Sequence, residues 1–315
     1  ILMSNYFEIL RAGINTTFQD NGRKNLYHIG IPFSGAMDQR NFRLANSIAG
    51  NKSHFPVIEF AYQGPLIKYN GNEINFVITG DVIFKIIKGD KEIQGNCYEN
   101  YSIKDGDEID IISTNKSVYG YLAINGEFDL KLQWGSCSIN TKAMIGSNNG
   151  EKFKARQKFE IKKINSNRIG KKINYINTKI EKIRVIKGTN FDYFSDQGKK
   201  IFFEKEFIVS KLTDRMGMRL EGPKIENVVN TNIRSEGLIK GVIQVPADGN
   251  PIVMLSDHGT IGGYPKIGVV ISADYDRLIQ LSPGSKIKFQ EINLSDAETL
   301  FKLYEMETQN LISQL

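Results

Sequence analysis

Three stretches of the sequence gather residue types that can hold or polarise a small anionic molecule. The first runs Thr17-Phe18-Gln19-Asp20-Asn21-Gly22-Arg23, passes His28, Gly30 and Pro32, and ends at Ser34-Gly35-Ala36-Met37-Asp38. A helix start after Asp38 leaves backbone N–H groups beside Ser34 and Gly35, where an anionic group can sit. Asp38 competes for that role, because as an N-cap it satisfies the same donors itself. His28 is a candidate proton carrier, weighed against a hydrogen-bonded structural histidine.

The second stretch, Leu212-Thr213-Asp214-Arg215-Met216-Gly217-Met218-Arg219-Leu220, carries two arginines four residues apart. On a strand they share a face, with Asp214 beside the first to orient it. Such a pair can clamp a carboxylate or a phosphate, and surface ion pairs beside a turn at Gly217 are the competing reading. The third stretch joins Ser235-Glu236-Gly237 and Gly241-Val242-Ile243-Gln244-Val245-Pro246 to Leu255-Ser256-Asp257-His258-Gly259-Thr260-Ile261-Gly262-Gly263-Tyr264-Pro265-Lys266. Gly262 and Gly263 permit close backbone approach to a ligand, against the plain alternative of a turn. Tyr264 offers a flat face and a hydroxyl, and Lys266 a positive charge.

The chemistry therefore falls to His28, Asp38, Asp214, Arg215 and Lys266, with Asp257 and His258 as alternatives for orienting a cation and moving a proton. Ser34, Gly35, Arg219, Gln244, Thr260, Gly262, Gly263 and Tyr264 are the candidate substrate contacts. No metal site is expected, since the histidines are His28, His54 and His258 and there is no H-E-x-x-H. Phosphate-loop, dinucleotide-binding and nucleophile-elbow patterns are absent from the sequence.

Short strands must position these residues. Alternating apolar patterns predict strands at 74–79, 82–88, 108–113 and 118–124, with a turn at Gly89-Asp90. A hairpin is predicted from 241–245 and 252–255 around Asp248-Gly249. Strands this short, spaced by Gly, Asn and Asp, argue for a barrel or sandwich. Helices are predicted after Asp38, ending at Gly50; from Phe191 to a stop at Gly198; after Ser272; and after a capping box at Ser295-Asp296-Ala297-Glu298. Ile103-Lys104-Asp105-Gly106-Asp107-Glu108-Ile109 is echoed by Leu281-Ser282-Pro283-Gly284-Ser285-Lys286-Ile287, compatible with two similar barrels.

Composition excludes several classes. At 315 residues, 40% hydrophobic and a formal charge of +6, the chain is globular, large enough for one large or two ordinary domains. Cys97 and Cys137 lie far apart and form no C-x-x-C, which argues against a disulfide framework or zinc and for a reducing, cytoplasmic compartment. No apolar run reaches the roughly 20 residues of a membrane helix, and no secretory signal is visible; Met3 is a candidate native start. Residues 152–187 hold thirteen Lys/Arg against two acids. That block reads as a solvated connection or a docking surface for an acidic partner; no nucleic-acid motif accompanies it.

The three stretches together resemble the biotin-dependent carboxyltransferase, or allophanate hydrolase subunit 2-like, family. The resemblance rests on Thr17-Phe18-Gln19-Asp20-x-Gly22-Arg23, Ser34-Gly35-Ala36-Met37-Asp38, Glu59 and Gly64-Pro65. It continues through Asp214-Arg215-Met216-Gly217-x-Arg219-Leu220, Ser235-Glu236-Gly237, Gln244-Val245-Pro246 and Gly262-Gly263-Tyr264-Pro265-Lys266. Gly259 stands where the family usually has glutamine, and Thr213 where serine is common.

The resemblance implies a mainly β fold of two cyclophilin-like β-barrel subdomains with a few short helices, here placed at 1–175 and 176–315. It further implies a subunit of an ATP-dependent 5-oxoprolinase that converts 5-oxo-L-proline to L-glutamate. The partners would be a B-type subunit similar to the sporulation kinase inhibitor and an A-type subunit. ATP with Mg is expected on the resemblance alone, and biotin is not expected to be attached to this chain. Two other readings remain: a non-catalytic module binding a histidine-kinase inhibitor protein, and a carboxyltransferase acting on urea or a related amide with carboxybiotin. For the two catalytic readings the small ligand is a lactam or amide, and no nucleic acid or membrane partner is expected.

Overall fold

The computed structural model describes residues 4–164, 172–175, 178, 180 and 182–315. Within the basic block, residues 165–171, 176, 177, 179 and 181 lie outside the described residues. The chain forms two compact units: Ile1–Arg23 with Asp38–Asn177 and Thr308–Leu315, and Lys24–Met37 with Thr178–Glu307.

In the first unit the strands are β1 (Tyr6–Arg11), β2 (Thr17–Gln19), β3 (Val57–Ala61), β4 (Leu66–Asn70), β5 (Ile74–Thr79) and β6 (Val82–Lys88). They continue with β7 (Lys91–Gln94), β8 (Asn100–Ile103), β9 (Glu108–Thr114), β10 (Tyr119–Ile124), β11 (Gly126–Phe128) and β12 (Lys158–Ile164). A seven-stranded sheet, β11-β12-β1-β4-β9-β6-β7, and a five-stranded sheet, β2-β3-β10-β5-β8, share one core. Period-two alternation sends Phe7 and Ile9, Ile67 and Tyr69, and Ile109 and Ile111 inward from the first sheet. Phe60, Phe76, Ile78 and Leu122 come from the second. Gly120 is required where β10 pairs with β3, since a Cβ there would stand 2.5 Å from the Phe60 ring. Cys97 and Cys137 are free thiols, and burial pushes Cys97 up to about 11, which suits packing rather than reactivity.

Helix α1 (Gln39–Ile48) begins where the sequence predicts, because the Asp38 carboxylate accepts the Asn41 N–H at 2.9 Å. Its other oxygen accepts the Asn41 side-chain amide at 2.7 Å, and the Asp38 N–H donates to the Tyr121 hydroxyl at 2.7 Å. Asp38 is thus a buried cap in this structure, with its oxygens turned to Asn41.

The segment Thr17–Arg23 is a structural knot. One Asp20 oxygen accepts from the Ser136 and Ser138 hydroxyls, both at 2.6 Å, and from the Gly22 N–H at 2.8 Å. The other accepts the Cys137 N–H at 2.8 Å. Gln19 donates to the Ile139 carbonyl, and Arg23 to the carbonyls of Gln133 and Ser138. Polar residues clustered in a motif here serve to pin a loop, since buried donors and acceptors must be paired.

The second unit carries β13 (Lys182–Lys187), β14 (Glu206–Val209), β15 (Gly217–Glu221), β16 (Glu236–Gly237) and β17 (Val242–Gln244). It adds β18 (Ile252–Met254), β19 (Ile261–Gly262), β20 (Lys266–Val270) and β21 (Lys286–Glu291). Seven of these close a barrel in the order β13-β20-β17-β18-β15-β14-β21, while β16 and β19 pair separately. Alternate residues fill it, among them Ile183, Val185, Phe207, Val209, Ile287 and Phe289. The architecture is the mainly β, few-helix class that the resemblance implies. One unit is a closed barrel, and the other is two sheets around a common core.

Helices depart from prediction in their starts. In place of one helix stopped at Gly198, a 3-10 turn at Phe191–Tyr193 precedes α2 (Asp196–Glu204). Ser195 caps α2 by accepting the Gly198 N–H at 2.9 Å, so the glycine lies in the first turn, where a Cβ would meet the Glu226 carbonyl at 2.6 Å. Ser272 is the first residue of α3 (Ser272–Leu278), whose cap is Ile271. Helix α4 (Leu294–Ser313) starts earlier than its predicted box: Asn293 accepts the Asp296 N–H at 2.9 Å and donates to its carboxylate. The sequence echo is a shared turn. The Asp107 N–H reaches the Lys104 carbonyl and the Ser285 N–H that of Ser282, both at 3.0 Å, around Gly106 (φ 83°) and Gly284 (φ 87°).

Replacing Asp20 by Asn turns an acceptor into a donor facing the Cys137 N–H. We expect Asp20→Asn to cost about 2–4 kcal/mol in chemical denaturation. A loss under about 0.5 kcal/mol, the scale of an ordinary surface substitution, would contradict the knot.

Candidate functional site

The site residues gather in the second unit. Arg215 lies just before β15, in a turn shaped by Asp214, whose carboxylate accepts the N–H groups of Met216 (2.8 Å) and Gly217 (3.2 Å). Pairing of Gly217 with Met254 brings the chain leaving β18 alongside, and the Asp257 N–H donates to the Arg215 carbonyl at 2.9 Å. The side chains then meet as a two-point pair, Nε to Oδ2 at 2.8 Å and a terminal nitrogen to Oδ1 at 3.0 Å. The same terminal nitrogen donates to the Gly35 carbonyl at 2.7 Å. Asp257, only 4% exposed, therefore orients Arg215, and Asp214 does not: its carboxylate is turned to the backbone of its own turn.

Ser34 (φ 58°) and Gly35 (φ 82°) both take left-handed conformations, and the Ser34 N–H donates to the Ser256 carbonyl at 2.9 Å. A serine there is strained, the kind of backbone that collects near functional sites. The Ser256 hydroxyl is buried with no hydrogen-bond partner among the described residues.

His258 is 1% exposed. Its Nδ1 lies 2.6 Å from the Gly259 carbonyl, which can only accept, so Nδ1 carries the proton. Nε2 is left to accept the Tyr27 hydroxyl at 3.2 Å. Burial lowers the pKa of His258 from its ordinary 6.5, opposed by the bond to Gly259, and burial raises that of Tyr27. His28, on the 3-10 turn Tyr27–Ile29, is exposed to solvent. The histidine enclosed by this unit is His258.

A second cluster lies on the barrel wall. Arg219 pairs with Ile252, Ile252 with Gln244, and Gln244 with Lys266, a row across four strands. Paired residues face the same way. The adjoining row of Met218, Val253 and Ile243 fills the interior, so this row faces outward. Arg219 is exposed, yet Gln244 and Lys266 are each 4% exposed. The β16–β19 arm covers them. A Cβ on Gly262 would stand 2.6 Å from the Gln244 amide nitrogen, and the Ile233 N–H donates to the Gly263 carbonyl at 2.9 Å.

Lys266 Nζ donates to Glu236 at 2.6 Å, and Asn190 accepts the Lys266 backbone N–H at 3.0 Å. The Glu236 carboxyl is held below its ordinary range mainly by the Lys266 hydrogen bond. Gln244 donates weakly to the Tyr264 carbonyl (3.3 Å), and the Tyr264 ring is 40% exposed. Thr260 is half-buried, and its carbonyl accepts the Leu238 N–H at 2.9 Å.

The structure thus joins Arg215 to Gly35, and Lys266 to Gln244, Gly262 and Tyr264. It leaves His28 exposed, Asp214 in its turn, Arg219 at the open end of the row, and Asp38 as a helix cap in the first unit. Tyr27 and Asn190 are participants that the sequence does not place at the site. Ser256 and Glu236 lie within the third stretch, where the sequence assigns them no role.

The second unit thus combines a closed β-barrel, an enclosed lysine ion-paired on its wall and an arginine locked by Asp257. The chain belongs to the carboxyltransferase domain family, subdomain A and B, whose model matches residues 29–291. It is 30% identical over 300 residues to the C-type subunit of 5-oxoprolinase from Haemophilus influenzae, covering 95% of each chain. It is also 30% identical over 292 residues to the C-type subunit of the Escherichia coli 5-oxoprolinase, covering 92% of each. Among solved structures it resembles the K. lactis urea amidolyase, with a TM-score of 0.88 and 26% identity, over 99% of this chain but 20% of that one.

The His258 environment sets a pH dependence. Below about pH 6.5 the imidazole is protonated in the unfolded chain while the folded one resists protonation, so stability falls as pH falls. Denaturation midpoints between about pH 7 and pH 5 should drop more in the wild type than in His258→Gln. Equal slopes would contradict the buried neutral imidazole.

Proposed function

We propose that the chain is the C-type subunit of an ATP-dependent 5-oxoprolinase, opening the lactam of 5-oxo-L-proline to L-glutamate with B-type and A-type partner subunits. The observation that carries this reading is the similarity to the 5-oxoprolinase C-type subunits along nearly the whole of both chains. The site's chemistry is in keeping with it. The substrate is a small lactam bearing a carboxylate. The Lys266 ammonium has three donors, one of them given to Glu236, and the substrate carboxylate would take the others. Gln244 and the backbone at Gly262 and Gly263 would flank the ring, with Tyr264 over its face. Arg215, fixed by Asp257 and Gly35, would keep a positive charge in one orientation.

ATP would supply the phosphoryl group that activates the lactam oxygen. Among the described residues no group of three or more His, Cys, Asp or Glu gathers to hold a metal by itself. We assign the nucleotide contacts to a partner subunit, and neither role of this chain calls for attached biotin. Among the described residues no helix is long and apolar enough to cross a membrane. Free thiols agree with a cytoplasmic assembly. Likeness to the urea amidolyase structure favours one second reading, carboxyl transfer to urea or a related amide.

The test is L-glutamate release from 5-oxo-L-proline and ATP by the mixed subunits, omitting each in turn. We expect release to vanish without this chain, and Lys266→Met to lower kcat/KM by about 100-fold or more. Undiminished release without this chain would overturn the assignment.

A further inference from the structure

The geometry points to Glu236 as the residue that positions Lys266, holding it as an ammonium aimed at the ligand. This rests on the reading of Lys266 as the substrate-carboxylate group and extends it to a second residue. The two partners are unequally placed. The Lys266 side chain is 5% exposed and fixed on strand β20, whereas that of Glu236 is 44% exposed on the two-residue strand β16. An ammonium enclosed to that degree loses most of its hydration and needs an anion bonded to it in return. Glu236 is the one anion bonded to it among the described residues, at 2.6 Å.

Asn190 braces the lysine's strand: its side-chain oxygen accepts the Lys266 backbone N–H at 3.0 Å. The carboxylate lies on one side of the ammonium, 2.6 Å from Nζ. Two N–H groups of Lys266 then have no acceptor among the described residues, although the side chain is enclosed. Donors held in this way are suited to the two oxygens of a carboxylate. Glu236 touches no ligand in this scheme. It acts through Lys266, so its loss should change the lysine before it changes the fold.

The experiment measures how fast acetic anhydride acylates Lys266, followed by mass spectrometry of the peptide that contains it. It uses the isolated full chain at about pH 8 and needs neither partner nor substrate. In Glu236→Gln the lysine loses its charged tether and its amino group is freer to meet the reagent, so its acylation should rise roughly tenfold or more relative to exposed lysines. Glu236→Asp should restore most of the wild-type rate. A Glu236→Gln chain that denatures like the wild type and is acylated at the wild-type rate would overturn the proposal. So would a rise spread equally over all lysines, which marks general loosening. The oxoprolinase reading fails separately: Lys266→Met that keeps full turnover would remove Lys266 from the reaction while leaving the acylation result intact.

Discussion

A charged side chain on the outer wall of a barrel ordinarily lies in water, and here one does not. Lys266 is enclosed, and enclosure of an ammonium is tolerable only with an anion and a scaffold to hold it. Much of the second unit follows from this. The β16–β19 arm must fold back over the wall, which requires Gly262 where a side chain would strike Gln244. Asn190 must reach the lysine backbone. The anion itself must come from the arm, because the wall supplies only Arg219, Ile252 and Gln244 to the same row.

The arginine pair obeys the same rule by another route. Arg215 and Asp257 meet because Gly217 and Met254 are opposite each other at the end of two paired strands. Register, not sequence proximity, chooses the partner. The bond from Arg215 to Gly35 then ties the Lys24–Met37 segment to the barrel of its own unit, beside the link from Ser34 to Ser256. The first unit uses its buried polar groups differently. Asp20 and Asp38 are both surrounded by donors from their own neighbourhood, one pinning a loop and the other starting a helix. A family motif thus divides into a structural half and a half that joins the candidate site.

What could be read from the sequence follows from the range of the forces involved. Strands β5 and β6 begin and end where alternation and glycine turns place them, because period-two burial is local information. The Asp38 cap and the hairpin of β17 and β18 were legible for the same reason. The α2 start was not, because Ser195 and Gly198 form a cap whose glycine resembles a stop unless the Glu226 backbone beside it is known. Likewise Asp214 adjoins Arg215 in sequence, but its carboxylate caps a turn, and the orienting aspartate comes from across the strand pair. His28 and His258 differ only in burial, which the sequence around them does not reveal. Glu236 lies in the same candidate stretch as Lys266, but its pairing with the lysine is not legible, since nothing in a Ser-Glu-Gly triplet announces a lysine partner.

The claim on which the account rests is that Lys266 receives the carboxylate of the ligand. Calorimetric binding of 5-oxo-L-proline and of 2-pyrrolidinone, the same lactam without the carboxylate, to the assembled subunits tests it directly. The account predicts that the wild-type assembly prefers 5-oxo-L-proline by roughly tenfold or more, and that Lys266→Met binds the two lactams nearly alike. A Lys266→Met assembly that keeps the full preference would place the carboxylate elsewhere and contradict the account.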